Sequence, residues 1–273
     1  MPTVLRPTRG WVAIDFAELY RFRDLLFEFA NRDVKLRYRQ TLLGIVWVAL
    51  QPLFAAGLLY FAFRVVAGLE PPQGAPFFVF TFAGLLVWNL FSATLTKASA
   101  SMIGHSYLVS KVYFPRLILP LSGTISTLID FGVSFGLLIV LLAIYGIVPG
   151  IQVLTLPLWI ALALCLALGL GLVAAALTVE YRDVQHMLPV VVPFLLYASP
   201  VAYDAAQIAP SYRAAFYLAN PLASVLAGFR WAVLGTPLPP APFILWSAVM
   251  AAALFAFGAA AFRRTERKFA DVI

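Results

Sequence analysis

Long apolar runs, each closed by a short basic segment, constrain this chain more than any other feature. The clearest is residues 36–63, where Lys35, Arg37 and Arg39 give way abruptly to a run from 41 to 63 without a charged side chain. About 23 residues of helix are enough to cross a hydrocarbon core roughly 30 Å thick. The run therefore reads as a first transmembrane helix. Lys and Arg flanking a membrane helix are retained on the cytoplasmic side, so the same stretch orients the chain with its N-terminus inside.

Composition supports that class. Apolar residues make up 63% of the chain and charged residues 11%, with a mean hydropathy of +0.93, whereas about a quarter of a soluble domain is charged. The net charge of +7 does not point to nucleic acid, because the basic residues bracket apolar spans instead of forming one basic face. Anionic lipid headgroups and inside retention account for them. The one cysteine, Cys165, lies in an apolar run, so an internal disulfide and a Cys/His metal site are both ruled out of the expected reading. The first forty residues are mixed and charged, without the apolar core of a cleavable signal, and a retained N-terminus is expected.

Along the chain, residues 1–40 read as a cytoplasmic N-terminus. Asp15 followed by Glu18 has the form of a capping box, after which Leu19, Phe22, Leu26 and Phe29 share one helical face and Arg21, Asp24, Glu28, Arg32 and Lys35 the other. This predicts an amphipathic helix over 19–29 on the membrane surface, its apolar stripe in the acyl boundary and its charged face toward water or a partner. Residues 41–262 then hold the membrane domain. After the first span, 68–76 is a turn-rich outer loop and 77–95 a second span; 97–116 is a polar cytoplasmic loop with a short helix. A third span covers 117–145, a fourth 157–179, and a fifth 187–203 is kinked by Pro189, Pro193 and Pro200. The last span is 243–262, followed by a basic tail, 263–273.

Residues 205–235 are apolar enough for another crossing, yet Asn220-Pro221 breaks them and Arg230 interrupts them. A seventh crossing would place Arg263, Arg264, Arg267 and Lys268 outside, against the positive-inside bias. With six crossings every basic residue except Arg64, Arg213 and Arg230 lies inside. The fold expected is thus an all-α membrane protein of six transmembrane helices, with 205–235 as short re-entrant helices bordering a conduit.

The chain lacks a Gly-x4-Gly-Lys-Ser/Thr phosphate loop and a Gly-x-Ser-x-Gly elbow. Its two histidines, His105 and His186, form no cluster with Cys165, so no catalytic residue and no metal ligand is assigned. Asp130 stands out as a charge about halfway along the third span, without a basic residue that the sequence places beside it; it reads either as a hydrogen-bonded structural group or as an ion relay. Aromatic side chains such as Tyr60, Trp88, Tyr197 and Tyr203 read as interface anchors and bundle packing, or as a lining that stacks against sugar rings.

Four motifs in order resemble one family: Arg37-Tyr38-Arg39-Gln40-Thr41-x-x-Gly44-x-x-Trp47 with Gln51-Pro52-Leu53; Lys111-Val112-x-Phe114-Pro115-Arg116; Tyr181-Arg182-Asp183-Val184; and Ser199-Pro200-Val201-x-Tyr203 with Asn220-Pro221-Leu222 and Phe229-Arg230. Together they resemble the permease subunits of type-2 ABC exporters of lipid-linked polysaccharides, such as O-antigen, capsule and teichoic acid. The resemblance implies a non-catalytic homodimeric conduit in the bacterial inner membrane, driven by two separate ATPase chains that bind ATP and Mg. This chain would then carry no cofactor. It further implies that Arg21, Asp24, Glu28 and Arg32 lie on an interface helix. Ile103, His105, Tyr107, Lys111, Phe114, Pro115 and Arg116 would couple to the ATPase. Tyr203, Asn220 and Pro221 would belong to an outer gate, with Tyr60, Trp88 and Tyr197 along the conduit. Arg37 and Arg39 would contact a lipid diphosphate, although inside retention explains them equally. Export of a drug or small lipid, an integral enzyme of polyprenyl-lipid metabolism, and an ion-coupled carrier using Asp130 are the rival readings.

Overall fold

The computed structural model describes residues 16–39, 44, 46–69, 75–181 and 183–266. Asp15, Gln40, Thr41, Arg182, Arg267 and Lys268, with residues 70–74 of the first loop, lie outside them. All regular structure among the described residues is helical.

The amphipathic segment forms two helices, α1 (Phe16–Arg21) and α2 (Arg23–Tyr38), which part at Phe22. Next come α3 (Val46–Tyr60), continued by a wider π-helical turn at Phe61–Val66, then α4 (Phe77–Gly104), α5 (Ser106–Lys111) and α6 (Ile118–Ile144). A 3₁₀ turn, Ile151–Thr155, leads into α7 (Leu156–Glu180), which is followed by α8 (Asp183–Ala198), α9 (Pro210–Ala219), α10 (Pro221–Leu234) and α11 (Ala241–Thr265). Five of these segments are long and apolar enough to cross a membrane: Val46–Val66, Phe77–Gly104, Ile118–Ile144, Ile151–Glu180 and Ala241–Thr265. The apolar helices α8 and α10 are shorter. Sequence chemistry explains where helices stop. Proline occupies the first turn of α7, α9, α10 and α11, where its missing N–H costs nothing. Gly235, at φ +71°, closes α10 in the left-handed conformation.

The bundle is built around α4 and α7. Packed between them and α6, α10 and α11 is a core in which Phe82, Leu86, Leu90, Leu166, Leu226 and Phe229 are fully buried. Without water to drive them together, membrane helices associate by close van der Waals packing, which small residues permit. The α7–α11 crossing depends on this. A Cβ on Gly169 would stand 2.6 Å from the backbone of Leu254, and one on Gly258 would overlap the Gly169 carbonyl.

Two expectations change. Helix α4 runs on through Lys97 to Gly104 instead of ending near residue 95. Its ~42 Å exceeds a bilayer core of about 30 Å, and its last turns pack inside the protein, where Ala98, Ser99, Ser101 and Met102 are buried. The apolar stripe of α1–α2 also turns inward rather than toward acyl chains. Phe29 and Ala30 are buried, Phe29 meets the rings of Phe114 and His105 at 6.0 Å, and Leu19, Phe22, Leu25 and Leu26 join the same cluster with Met102, Ile118 and Phe262. The apolar ends of α4, α6, α7 and α11 offer that surface, and burying the stripe there satisfies it without lipid.

Candidate functional site

At the end of the bundle where α2 lies, α3, α4 and α6 enclose a cavity of about 770 Å³. Its walls are mostly apolar, with Trp47, Pro52, Leu90 and Phe131 among them beside the polar Gln51, Asn89 and Thr96, and its floor is charged. Asp130 projects from α6 into that floor. Tyr38 donates its hydroxyl to Asp130 Oδ1 at 2.6 Å, Arg37 Nη1 donates to Oδ2, and Lys97 Nζ lies 3.8 Å from the same oxygen. Lys97 also donates to Ser126 Oγ at 2.7 Å, and that hydroxyl donates in turn to the carbonyl of Gly123 at 2.9 Å. The Asp130 side chain is 16% exposed, that of Lys97 23% and that of Arg37 41%. Asp130 is thus no isolated intramembrane carboxylate. Because α6 begins deep in the cluster beside Phe29, its middle comes level with the C-terminus of α2. Partners from three helices converge there, two cations facing one carboxylate.

Burial, and then the bond to Asp130, push the Tyr38 phenol up from 10 to about 12. It stays a donor throughout the physiological range. Ser134 Oγ donates to the Val48 carbonyl at 3.1 Å and pins α3 against α6 on the same side of the cavity.

The residues singled out from sequence fall into separate places. Arg37 reaches the cavity; Arg39, at the end of α2, is exposed and is not among its lining residues. Arg21, Asp24, Glu28 and Arg32 are all exposed on α1–α2. In the segment between α4 and α6, Tyr107 and Lys111 face outward, with Lys111 Nζ 4.1 Å from the Tyr107 ring centroid. Ile103 and His105 are half-buried, while Phe114 and Pro115 are buried. His105 Nδ1 lies 3.0 Å from the Ser101 carbonyl and so carries the proton. Arg116 donates to the Glu266 carbonyl, its backbone N–H donates to Glu266 Oε1 at 3.3 Å, and Arg263 approaches Glu18 at 4.0 Å. Burial pushes the Glu266 carboxyl up, against the pull of Arg116 and Arg263. Together these contacts tie α1, the α5–α6 connection and the end of α11.

At the far end, Asn220 Nδ2 donates to the Ala198 carbonyl at 3.1 Å and to Ser199 Oγ at 3.0 Å, and Tyr203 donates to the Tyr197 carbonyl at 3.3 Å. Pro221 opens α10, and its carbonyl accepts from Ser247 at 2.7 Å. The structure therefore brings Tyr197, Tyr203, Asn220 and Pro221 to one turn. Tyr60 stands apart, edge-on to Phe77 and Phe78 beside Arg64 and Tyr145 in a hollow of about 430 Å³. Trp88 is buried in the core against Phe91.

Sequence reasoning missed two things. The convergence of Tyr38 and Lys97 on Asp130 joins residues 92 and 33 positions apart; the lone carboxylate was the only signal. Arg230 stands in the sequence as an interruption of an apolar run and as the end of the fourth motif, with no partner assigned to it. It is 2% exposed and donates to the carbonyls of Phe80 at 3.1 Å, Pro200 at 2.7 Å and Val201 at 2.5 Å, with its guanidinium 3.6 Å from the Phe80 ring centroid. Among the described residues, no three of His, Cys, Asp and Glu gather as a metal site.

Residues 25–234 match the family model described as ABC-2 type transporter. The chain is 30% identical over 257 residues to the O-antigen export system permease protein RfbA of Myxococcus xanthus, covering 94% of this chain and 98% of that protein. It is 28% identical over 208 residues to the protein of the same name from Klebsiella pneumoniae, covering 76% and 79%. With five helices long and apolar enough to cross a membrane and a matched region that reaches from α2 to the end of α10, the chain belongs to the ABC-2 type transporter family.

Proposed function

We propose that this chain is the non-catalytic permease subunit of an ATP-driven exporter that moves a lipid-linked polysaccharide of the O-antigen type across the bacterial inner membrane. The observation that carries the reading is similarity along 94% of the chain to a permease named for O-antigen export. Both termini are cytoplasmic. The five long helices and α8 make six crossings, and α9–α10 dip in from the outer face as a gate at Tyr203, Asn220 and Pro221. Support comes from the break at Asn220-Pro221 and from the apolar character of α8, which carries Pro189 and Pro193 within it.

The interior of one copy is filled by Phe82, Leu86, Leu90 and Phe229, so the conduit runs between two copies. The exposed face of α3 with Trp47, Phe54 and Leu58, and that of α8 with Phe194 and Tyr197, are the surfaces available for it. Two ATPase chains supply ATP and Mg. They seat against the α5 segment, where Tyr107 and Lys111 project, and against the exposed charges of α1–α2. Arg37 meets the diphosphate of the carrier lipid at the cavity mouth.

Deletion of the gene tests this. Surface polysaccharide should disappear while lipid-linked glycan accumulates inside, and the full chain should restore export only with an active ATPase partner. Unchanged surface glycan in the deletion strain would refute it.

A further inference from the structure

The charged floor of the cavity holds two cations and a phenol, all directed at one carboxylate. Asp130 offers two oxygens and each is taken: Oδ1 by Tyr38, Oδ2 by Arg37 and Lys97. These donors arise from α2 and α4, whereas the acceptor arises from α6. Lys97 has a second anchor in Ser126, so its place does not rest on Asp130 alone, and Arg37 remains two-fifths exposed and within reach of a ligand. Above them most of the wall is apolar, from Trp47, Pro52, Leu86, Leu90 and Phe131, with Gln51 and Asn89 as polar points on it. An apolar slot over a cationic floor suits an amphipathic anion, and a phosphate group has the oxygens to accept from all three donors at once.

We infer that Asp130 is a built-in counter-anion: it occupies the place of a phosphate-bearing lipid headgroup, holds Arg37, Tyr38 and Lys97 in register, and is displaced when that headgroup enters. This rests on the exporter reading for the source of the lipid, but the recognition chemistry is only that of a phosphate or diphosphate on an apolar tail. Two cations left bare in an apolar cavity would be costly to the empty protein. A resident carboxylate removes that cost and lets only a ligand more strongly charged than itself compete. Weakly anionic or zwitterionic lipids, which surround the protein in excess, would then be refused.

The test uses the full chain assembled with its ATPase partner in nanodiscs. Binding is measured for polyprenyl diphosphate, for phosphatidic acid in the disc lipid, and for inorganic pyrophosphate in solution. Asp130→Asn keeps the shape and removes the competitor, so polyprenyl diphosphate should bind at least tenfold more tightly. Phosphatidic acid, a phosphate on a different tail, should gain as well. Arg37→Gln and Lys97→Gln should each weaken binding by at least tenfold, and Asp130→Asn combined with Lys97→Gln should return toward the wild-type affinity. Asp130→Ser serves as a second variant if the asparagine disturbs assembly. A matching gain for pyrophosphate assigns the site to the phosphate alone, and a gain confined to the lipid assigns it to the headgroup with its tail; both outcomes support displacement. Equal or weaker binding by both Asp130 variants would overturn it and make Asp130 a residue that merely orients the cations. Because the readout needs no glycan, failure of O-antigen export leaves it standing, and its own failure leaves the exporter reading intact.

Discussion

Gly84 sits against the guanidinium of Arg230, and the smallest possible enlargement there should be among the most damaging in the chain. A Cβ at Gly84 would stand 2.8 Å from the Val201 carbonyl and overlap Arg230 Nη2. Arg230 cannot swing aside, because the carbonyls of Phe80, Pro200 and Val201 hold it on three sides and the Phe80 ring covers it. Gly84→Ala must therefore break at least the Nη2 bond to Val201. Overpacking in a filled core costs about 1–3 kcal/mol, and a buried hydrogen bond from a charged donor contributes about 1.5–3 kcal/mol. The expected total is about 3–5 kcal/mol, or a fall of roughly 6–20 °C in Tm for a chain of this size. The midpoint is read from monodisperse protein surviving a heating series in detergent. Arg230→Ala alone should also be destabilising, since it removes the buried donor shared by three carbonyls. The double variant should then lose much less than the sum, with a coupling of about 1–3 kcal/mol. Strict additivity, or a Gly84→Ala midpoint within 2 °C or so of wild type, would refute the reasoning.

Other outcomes are equally specific. In a spectrophotometric titration one tyrosine should ionise near pH 12, and that step should vanish in Tyr38→Phe; since the folded value is the raised one, the stabilisation is complete below pH 10 and is lost as pH climbs through 12. Lys111→Glu should leave thermal stability within about 1 kcal/mol of wild type, given only its stacking on Tyr107, yet uncouple ATP hydrolysis from export in reconstituted vesicles. Arg116→Glu should instead lower stability, because it sets a carboxylate against Glu266 and removes the donor to its carbonyl; equal stability of the two variants would contradict the contacts described. A reporter fused after Ile273 should be active only in the cytoplasm, and external activity would remove the six-crossing arrangement.

Much of the bundle was legible because its determinants are local. Apolar runs of the right length marked the five long helices, Asn220-Pro221 marked the break between α9 and α10, and the spacing of Leu19, Phe22, Leu26 and Phe29 marked an apolar stripe. The surface that receives that stripe was not legible, because Met102, Phe114 and Phe262 come from three distant segments. For the same reason Asp130 could be noticed but not partnered. Lys97 looked like the start of a polar loop, since nothing in a single sequence shows that Ser126 and Asp130 of another helix hold it against α4. Arg230 likewise draws its acceptors from backbone carbonyls, which leave no trace in residue identity.

The glycine contact between α7 and α11 bears on how such a machine moves. Main chain touching main chain, with Gly169 seated on Leu254 and Gly258 on Gly169, leaves no side-chain layer to shear. The pair is locked in its angle and depth, so any rearrangement of the bundle has to carry α7 and α11 together as one body.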